Sequence, residues 1–383
     1  MQQFAIIITI VLVISGCATS PPLPQPSGSD LVGYQRTPIG NDDHWVDVQA
    51  YYPAQAESDT RLVATPDDLA GVMANAYGMP AFLMRDNRLL DVFIEAPPAL
   101  GRFPVLIFNH GHSSFARQNQ ANFIELASQG YVVLTLNHPG YSLLSKNGEQ
   151  AVQQTPVASS GPIDMDLALN QLAQDFDALR QADKLNQWLV TMAQVEQNSF
   201  AAVLAEFDQW VANNELVLNQ LVAGDTELLV QAHLNLEHLG YFGHSFGGAV
   251  ATYMNMNSAL VDASFNLDGP VFAKSVNTTD AGAYCFAYGN EGHGDKHGSD
   301  FSYINQPLAQ ALNGCEVVFQ GAQHMNFSDL NQLPILRRFG VLGSVDTELM
   351  QDNLNQVLLD FFNQHLRNQG EISKLSGTQL TQH

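Results

Sequence analysis

The chain is poor in basic residues and in cysteine. Only 15 of its 383 residues are lysine or arginine, against 38 aspartates and glutamates, for a net charge of −23 at neutral pH. Such a surface repels phosphate backbones, which argues against nucleic acid as a partner and against electrostatic docking onto anionic lipid. Charged residues of both signs reach only 14%, beside 45% hydrophobic residues, a globular composition rather than a disordered one. No repeat of fixed period is visible, and the apolar run from Phe4 to Ile14 is too short to span a bilayer. What is present suffices for one large domain or two small ones, with a sizeable core.

The short apolar run suits a signal-peptide core. It leads into Ile14-Ser15-Gly16-Cys17, which resembles the lipobox of bacterial lipoproteins. That resemblance implies a signal peptide over 1–16 and a lipidated Cys17, and Ala18 after the cysteine fits sorting to an outer membrane. The usual basic residue near the start is missing. The Pro/Ser-rich stretch that follows predicts a flexible tether over 17–30. Only Cys285 and Cys315 then remain, either as two buried thiols or as a disulfide worth roughly 3 to 4 kcal/mol on the chain-entropy account.

From residue 31 to 370, apolar runs alternate with helical patterns, the layout of an α/β fold with a mainly parallel sheet and helices on both faces. His44 to Tyr52 alternates like an edge strand. Pro104–Asn109 and Tyr131–Asn137 read as central strands, with a helix over Ala121–Gln129 closed by Gly130. Further strands are expected at 238–242, 263–267, 283–288 and 315–319. Between about 163 and 236 strand signals vanish and apolar residues recur at helical spacing, a helical insertion that is either a lid or an elaborated crossover. Residues 371–383 read as a polar tail.

The sharpest local signal is Gly243-His244-Ser245-Phe246-Gly247, between a strand pattern and a helical one. A serine that attacks a carbonyl must stand clear of the sheet on a tight strand-to-helix turn, and that turn tolerates only very small residues two positions to either side. The partners then follow in the order acid, histidine. Asp268 ends the next apolar run before Gly269-Pro270, with Asp295 and Asp300 as rival acids, and His324 follows the last strand. The helix after Ser245 aims its amides at a developing oxyanion, and the loop Asn109-His110-Gly111-His112 offers the second donor, leaving the amides of Phe246 and His112 as the oxyanion hole. His293, Asp295, His297 and Asp300 can be read as a weak metal cluster, although alternating His and Asp in a glycine-rich loop is usually just solvated.

Tyr51-Tyr52-Pro53, Phe103 to Gly111, Leu126 to Val133, His138-Pro139-Gly140, Gly243 to Gly248, Asn266 to Gly269 and His324 to Asp329 together resemble the α/β-hydrolases of the platelet-activating-factor acetylhydrolase type, the plasma and isoform II group with its bacterial relatives. The resemblance implies Ser245 as nucleophile, Asp268 rather than its rivals as the orienting acid, His324 as base, and no metal or organic cofactor. Two departures bear on the acyl pocket: Ser113 stands where the family's H-G-x-G loop has its second glycine, and the insertion is long for the group. The expected activity is serine carboxylic-ester hydrolysis of a small-molecule ester or lipid, including short-acyl or oxidised phospholipids, by a protein anchored in the bacterial cell envelope. A general carboxylesterase or polyester hydrolase, a peptidase or an acyltransferase with the same triad, and a non-enzymatic envelope lipoprotein are the alternatives.

Overall fold

The computed structural model describes residues 23, 25–78, 80–155, 171, 174–179, 181–182, 184–277, 279, 281–291 and 301–383. Cys17 and the loop carrying His293, Asp295, His297 and Asp300 lie outside the described residues.

The strands are β1 Leu31–Gly40, β2 Trp45–Ala54, β3 Arg61–Thr65, β4 Asp86–Ile94, β5 Phe103–Asn109, β6 Val132–Asn137, β7 Leu144–Asn147, β8 Gln150–Gln153, β9 Leu234–His244, β10 Ala263–Leu267, β11 Ala283–Gly289, β12 Cys315–Phe319 and β13 Thr378–Gln382. Apart from the β7–β8 hairpin they form an 11-stranded sheet in the order β13, β12, β11, β10, β9, β5, β6, β2, β1, β4, β3. From β6 through β5, β9, β10 and β11 to β12 every neighbouring pair is parallel. This is the α/β-hydrolase arrangement.

The continuous apolar runs are explained by cover on both faces. Along β5, Leu106 and Phe108 join a core with the helices Gln120–Ser128 and Thr347–Arg367, while Val105 and Ile107 join another with the helices Ala201–Ala223 and Phe246–Asn257. Asp346 caps the helix Thr347–Arg367 by accepting from the amides of Glu348 and Leu349, and Asn368 closes it at φ 54°. Two helices of the insertion are Leu185–Asn198 and Ala201–Ala223. The second packs on the elbow helix Phe246–Asn257 and on β1 and β2, so it is seated on the body of the sheet. Cys285 and Cys315 face each other across β11 and β12 and are joined by a disulfide, Cα to Cα 4.5 Å.

Three expectations need correction. The strand β2 is interior, lying between β1 and β6 and buried along its whole length. Its polar residues are satisfied within the protein rather than by water: Asp47 accepts from Arg36, from Asn137 Nδ2 at 2.8 Å and from the Lys146 amide at 2.9 Å, and Gln49 accepts from the Tyr34 hydroxyl. The polar tail is a sheet element: β13 runs antiparallel to β12, with Ile372 buried and Leu380 packed on the core. Its Thr and Gln residues suit a half-exposed edge. The end of the tether is fastened. The Ser27 amide donates to Glu125 at 2.8 Å, and the Asp30 amide donates to the Ser128 carbonyl at 3.1 Å, so this stretch lies along the helix Gln120–Ser128. Among the described residues, no helix is long and apolar enough to cross a membrane.

Candidate active site

Ser245 occupies the turn between β9 and the helix Phe246–Asn257, with φ 55° and ψ −120°. A backbone held there costs of order 1–3 kcal/mol and persists only where its surroundings over-determine it. They do. Its amide donates to the Leu267 carbonyl at the end of β10 (2.8 Å), and its carbonyl accepts from Gly248 at 2.9 Å. A Cβ on Gly243 would stand 2.2 Å from the Gly247 carbonyl oxygen, and one on Gly247 would stand 2.0 Å from that of Asn109. Both obstacles are backbone, so the two glycines are the steric condition for the turn.

Asp268 follows β10 and His324 follows β12, and their side chains meet: His324 Nδ1 lies 2.6 Å from Asp268 Oδ2. Asp268 is buried, while the His324 side chain keeps 19% of its surface exposed. The Asp268 carboxylate fixes the tautomer by accepting from Nδ1–H, which leaves Nε2 as the proton acceptor. The His324 ring also sits 4.5 Å, centroid to centroid, from the ring of His244, the neighbour of Ser245. His244 is inert scaffold. It accepts from Gln118 at Nδ1 (2.9 Å) and donates from Nε2 to the His324 carbonyl (3.0 Å), and burial, with His324 beside it, pushes its pKa well below the ordinary value.

The loop after β5 approaches from the other side. Gly111 lies against Ser245, since a Cβ there would be 3.5 Å from that of the serine, and its amide donates to Gln118 Oε1 at 2.8 Å. The His112 ring packs edge-on to Phe246, centroids 5.9 Å apart. Phe246 begins its helix, so its amide is among those a helix leaves without an intrahelical acceptor. Ser113 has φ 54°. It therefore holds the left-handed conformation that the second glycine of an H-G-x-G loop would take more easily.

His110 is deeply buried. It contacts the Gly111 carbonyl at Nδ1 (2.7 Å) and Ser142 Oγ at Nε2 (2.5 Å), and burial lowers its pKa to about 3. This is the profile of a scaffold residue. Three participants escape a reading of the sequence: Gln118, which holds both Gly111 and His244; Glu206, 3.2 Å from His112; and Asp329, which accepts from the Gln120 amide at 2.7 Å. Gln118 and Glu206 belong to no motif. Asp329 lies in the His324–Asp329 stretch already noted, where its position alone does not tell its role. Among the described residues no cluster of His, Cys, Asp or Glu could hold a metal.

Comparison with known proteins bears on the fold and on the class of activity. The family described as "Platelet-activating factor acetylhydrolase, isoform II" matches residues 16–380. The platelet-activating factor acetylhydrolase of Cavia porcellus is 22% identical over 380 residues, covering 90% of this chain and 78% of that protein. A ferulic acid esterase from Streptomyces cinnamoneus superimposes with a TM-score of 0.65 at 17% identity, over 95% of this chain and 100% of the other, a likeness of fold. The chain thus belongs to the platelet-activating-factor acetylhydrolase isoform II family and is a serine hydrolase of carboxylic esters.

Proposed function

We propose that Ser245, His324 and Asp268 form the catalytic triad, with the amides of Phe246 and His112 as the oxyanion hole. The observation that carries this reading is the 2.6 Å bond from His324 Nδ1 to Asp268, made beside the strained turn that presents Ser245. Ser245 Oγ attacks the ester carbonyl as Nε2 of His324 takes its proton. The tetrahedral adduct collapses, the alcohol leaves with that proton, and His324 then activates water to hydrolyse the acyl-enzyme. The substrate class is a small-molecule or lipid carboxylic ester, short-acyl or oxidised phospholipid esters included, and the Cavia porcellus relative's name, platelet-activating factor acetylhydrolase, supports an acetyl ester. Fluorophosphonate labelling that is lost in Ser245→Ala tests the nucleophile. Turnover of graded p-nitrophenyl esters beside short-chain phospholipids tests the substrate class.

The lipobox-like Ile14-Ser15-Gly16-Cys17 supports a lipid anchor in the bacterial envelope, on the outer membrane. Incorporation of labelled palmitate that disappears in Cys17→Ala is the corresponding test.

A further inference from the structure

One face of the insertion helix Ala201–Ala223 grips the proposed oxyanion hole at successive turns. Glu206, Trp210 and Asn214 are spaced four residues apart and share that face. Glu206 Oε2 lies 3.2 Å from His112 Nε2. One turn on, the Trp210 ring packs edge-on to Phe246 (5.0 Å) and to His110 (4.7 Å) and stacks on His138 (3.9 Å). One turn further, Asn214 and Asn109 exchange two side-chain hydrogen bonds, at 2.8 and 3.0 Å, at the end of β5. Both residues whose amides would hold the oxyanion are therefore touched by the same helix.

The Glu206 contact is the unusual one. Its side chain is 7% exposed and, among the described residues, Oε1 is buried without a hydrogen-bond partner. A buried carboxylate with one partner is costly, and an apolar side chain would fill the place without that cost. Its contribution is thus sought in geometry rather than stability. The loop it reaches needs support, because Ser113 holds φ 54° where glycine would be at ease. A directional chain supplies it: Gln154 Nε2 donates to Ser113 Oγ (3.0 Å), Ser113 pairs with His112 Nδ1 (3.1 Å), and His112 Nε2–H donates to Glu206.

We infer that Glu206 is a positioning residue of the esterase: by anchoring the His112 ring it sets where the His112 amide points, and so ties the insertion to the oxyanion hole. The inference rests on the proposed assignment of Ser245 and of the His112 amide. Positional errors of about 1 Å at such a site can cost up to about 100-fold in rate. Glu206→Ala should lower kcat for a p-nitrophenyl ester about tenfold or more, with KM within about twofold. Glu206→Gln, whose amide oxygen still accepts from His112, should recover most of the loss. His112→Ala, which keeps the backbone amide, should cost about as much as Glu206→Ala, and the double variant little more than either. Melting curves run alongside report whether each variant is folded, and if Glu206→Ala is not, His112→Ala cuts the same tie from the loop side. Wild-type kcat in Glu206→Ala and His112→Ala, a loss confined to KM, or a Gln variant as slow as the Ala variant overturns the inference. Full turnover and labelling in Ser245→Ala would instead overturn the active-site reading itself.

Discussion

Nδ1 of His324 and Oδ2 of Asp268 lie 2.6 Å apart, although the two residues stand 56 positions apart in the chain and follow different strands. Because Asp268 is buried, its role can be tested with little change of shape. Asp268→Asn should leave the melting temperature within a few degrees, yet lower kcat by about 10³ to 10⁴-fold, because the amide no longer holds the imidazole in the tautomer whose Nε2 accepts a proton. Steady-state ester kinetics beside a thermal melt decide it, and a kcat within tenfold of wild type would count against the assignment.

Two glycines should respond in opposite ways to one methyl group. Gly247→Ala drives a Cβ against the Asn109 carbonyl, and we expect a loss of about 3 kcal/mol together with loss of ester turnover. Gly71 lies within the helix Asp67–Tyr77, where an added Cβ meets nothing within 4 Å. Gly71→Ala should raise stability by about 0.5 to 1 kcal/mol with activity unchanged. Urea titrations read both.

Acid should destabilise the fold at pH values above the ordinary carboxylate range. Burial holds the pKa of His110 at about 3 and keeps those of His138 and His244 well below the ordinary histidine value. The unfolded chain takes up protons at these positions below about pH 6.5 while the native protein does not, so stability is full above that pH and falls as pH drops through it. Each group contributes about 1.4 kcal/mol per pH unit at most. Asp329 opposes them: burial raises its carboxyl to about 7, which makes its contribution favour the folded state at lower pH. Burial also lowers His365 and raises Glu196, and four such histidines against two such carboxyls predict a melting temperature that declines between pH 6.5 and 5. A flat profile there would contradict neutral buried histidines.

Cutting the bridge between Cys285 and Cys315 should cost stability rather than catalysis. The pair closes 30 residues of chain and ties two neighbouring strands. Reduction, or Cys285→Ser with Cys315→Ser, should lower the unfolding free energy by about 3 kcal/mol while kcat at 25 °C stays within twofold. Denaturant midpoints with and without reductant provide the measurement.

The elbow was legible in the sequence because its steric demand is written in residue size, at Gly243 and Gly247. The parallel strands were legible because burial on both faces leaves unbroken apolar runs, as at β5 and β6. Asp268 and its rivals were not separable by pattern, since each follows a strand. The interior place of β2 was hidden by its alternating polar residues: Asp47 looks like a solvent-facing aspartate until Arg36 and Asn137 are brought to it. Glu206 was invisible for the same reason, its partner His112 lying 94 residues away on another element. Local patterns report what a residue needs from its neighbours in sequence, and these residues need neighbours that only the fold assembles.

The fastening of Ser27 and Asp30 along the helix Gln120–Ser128 would limit the reach of the proposed lipid anchor. Leu23 packs against the core and, with Ser114 and Met325, the residue after His324, borders a cavity. With Cys17 lipidated, the leash is the chain from Cys17 to Leu23, about 20 Å even when fully extended. Under the proposed lipid anchor, so short a lead would confine the enzyme to one leaflet, and its ester supply would be set by what partitions into that bilayer rather than by what is dissolved at a distance.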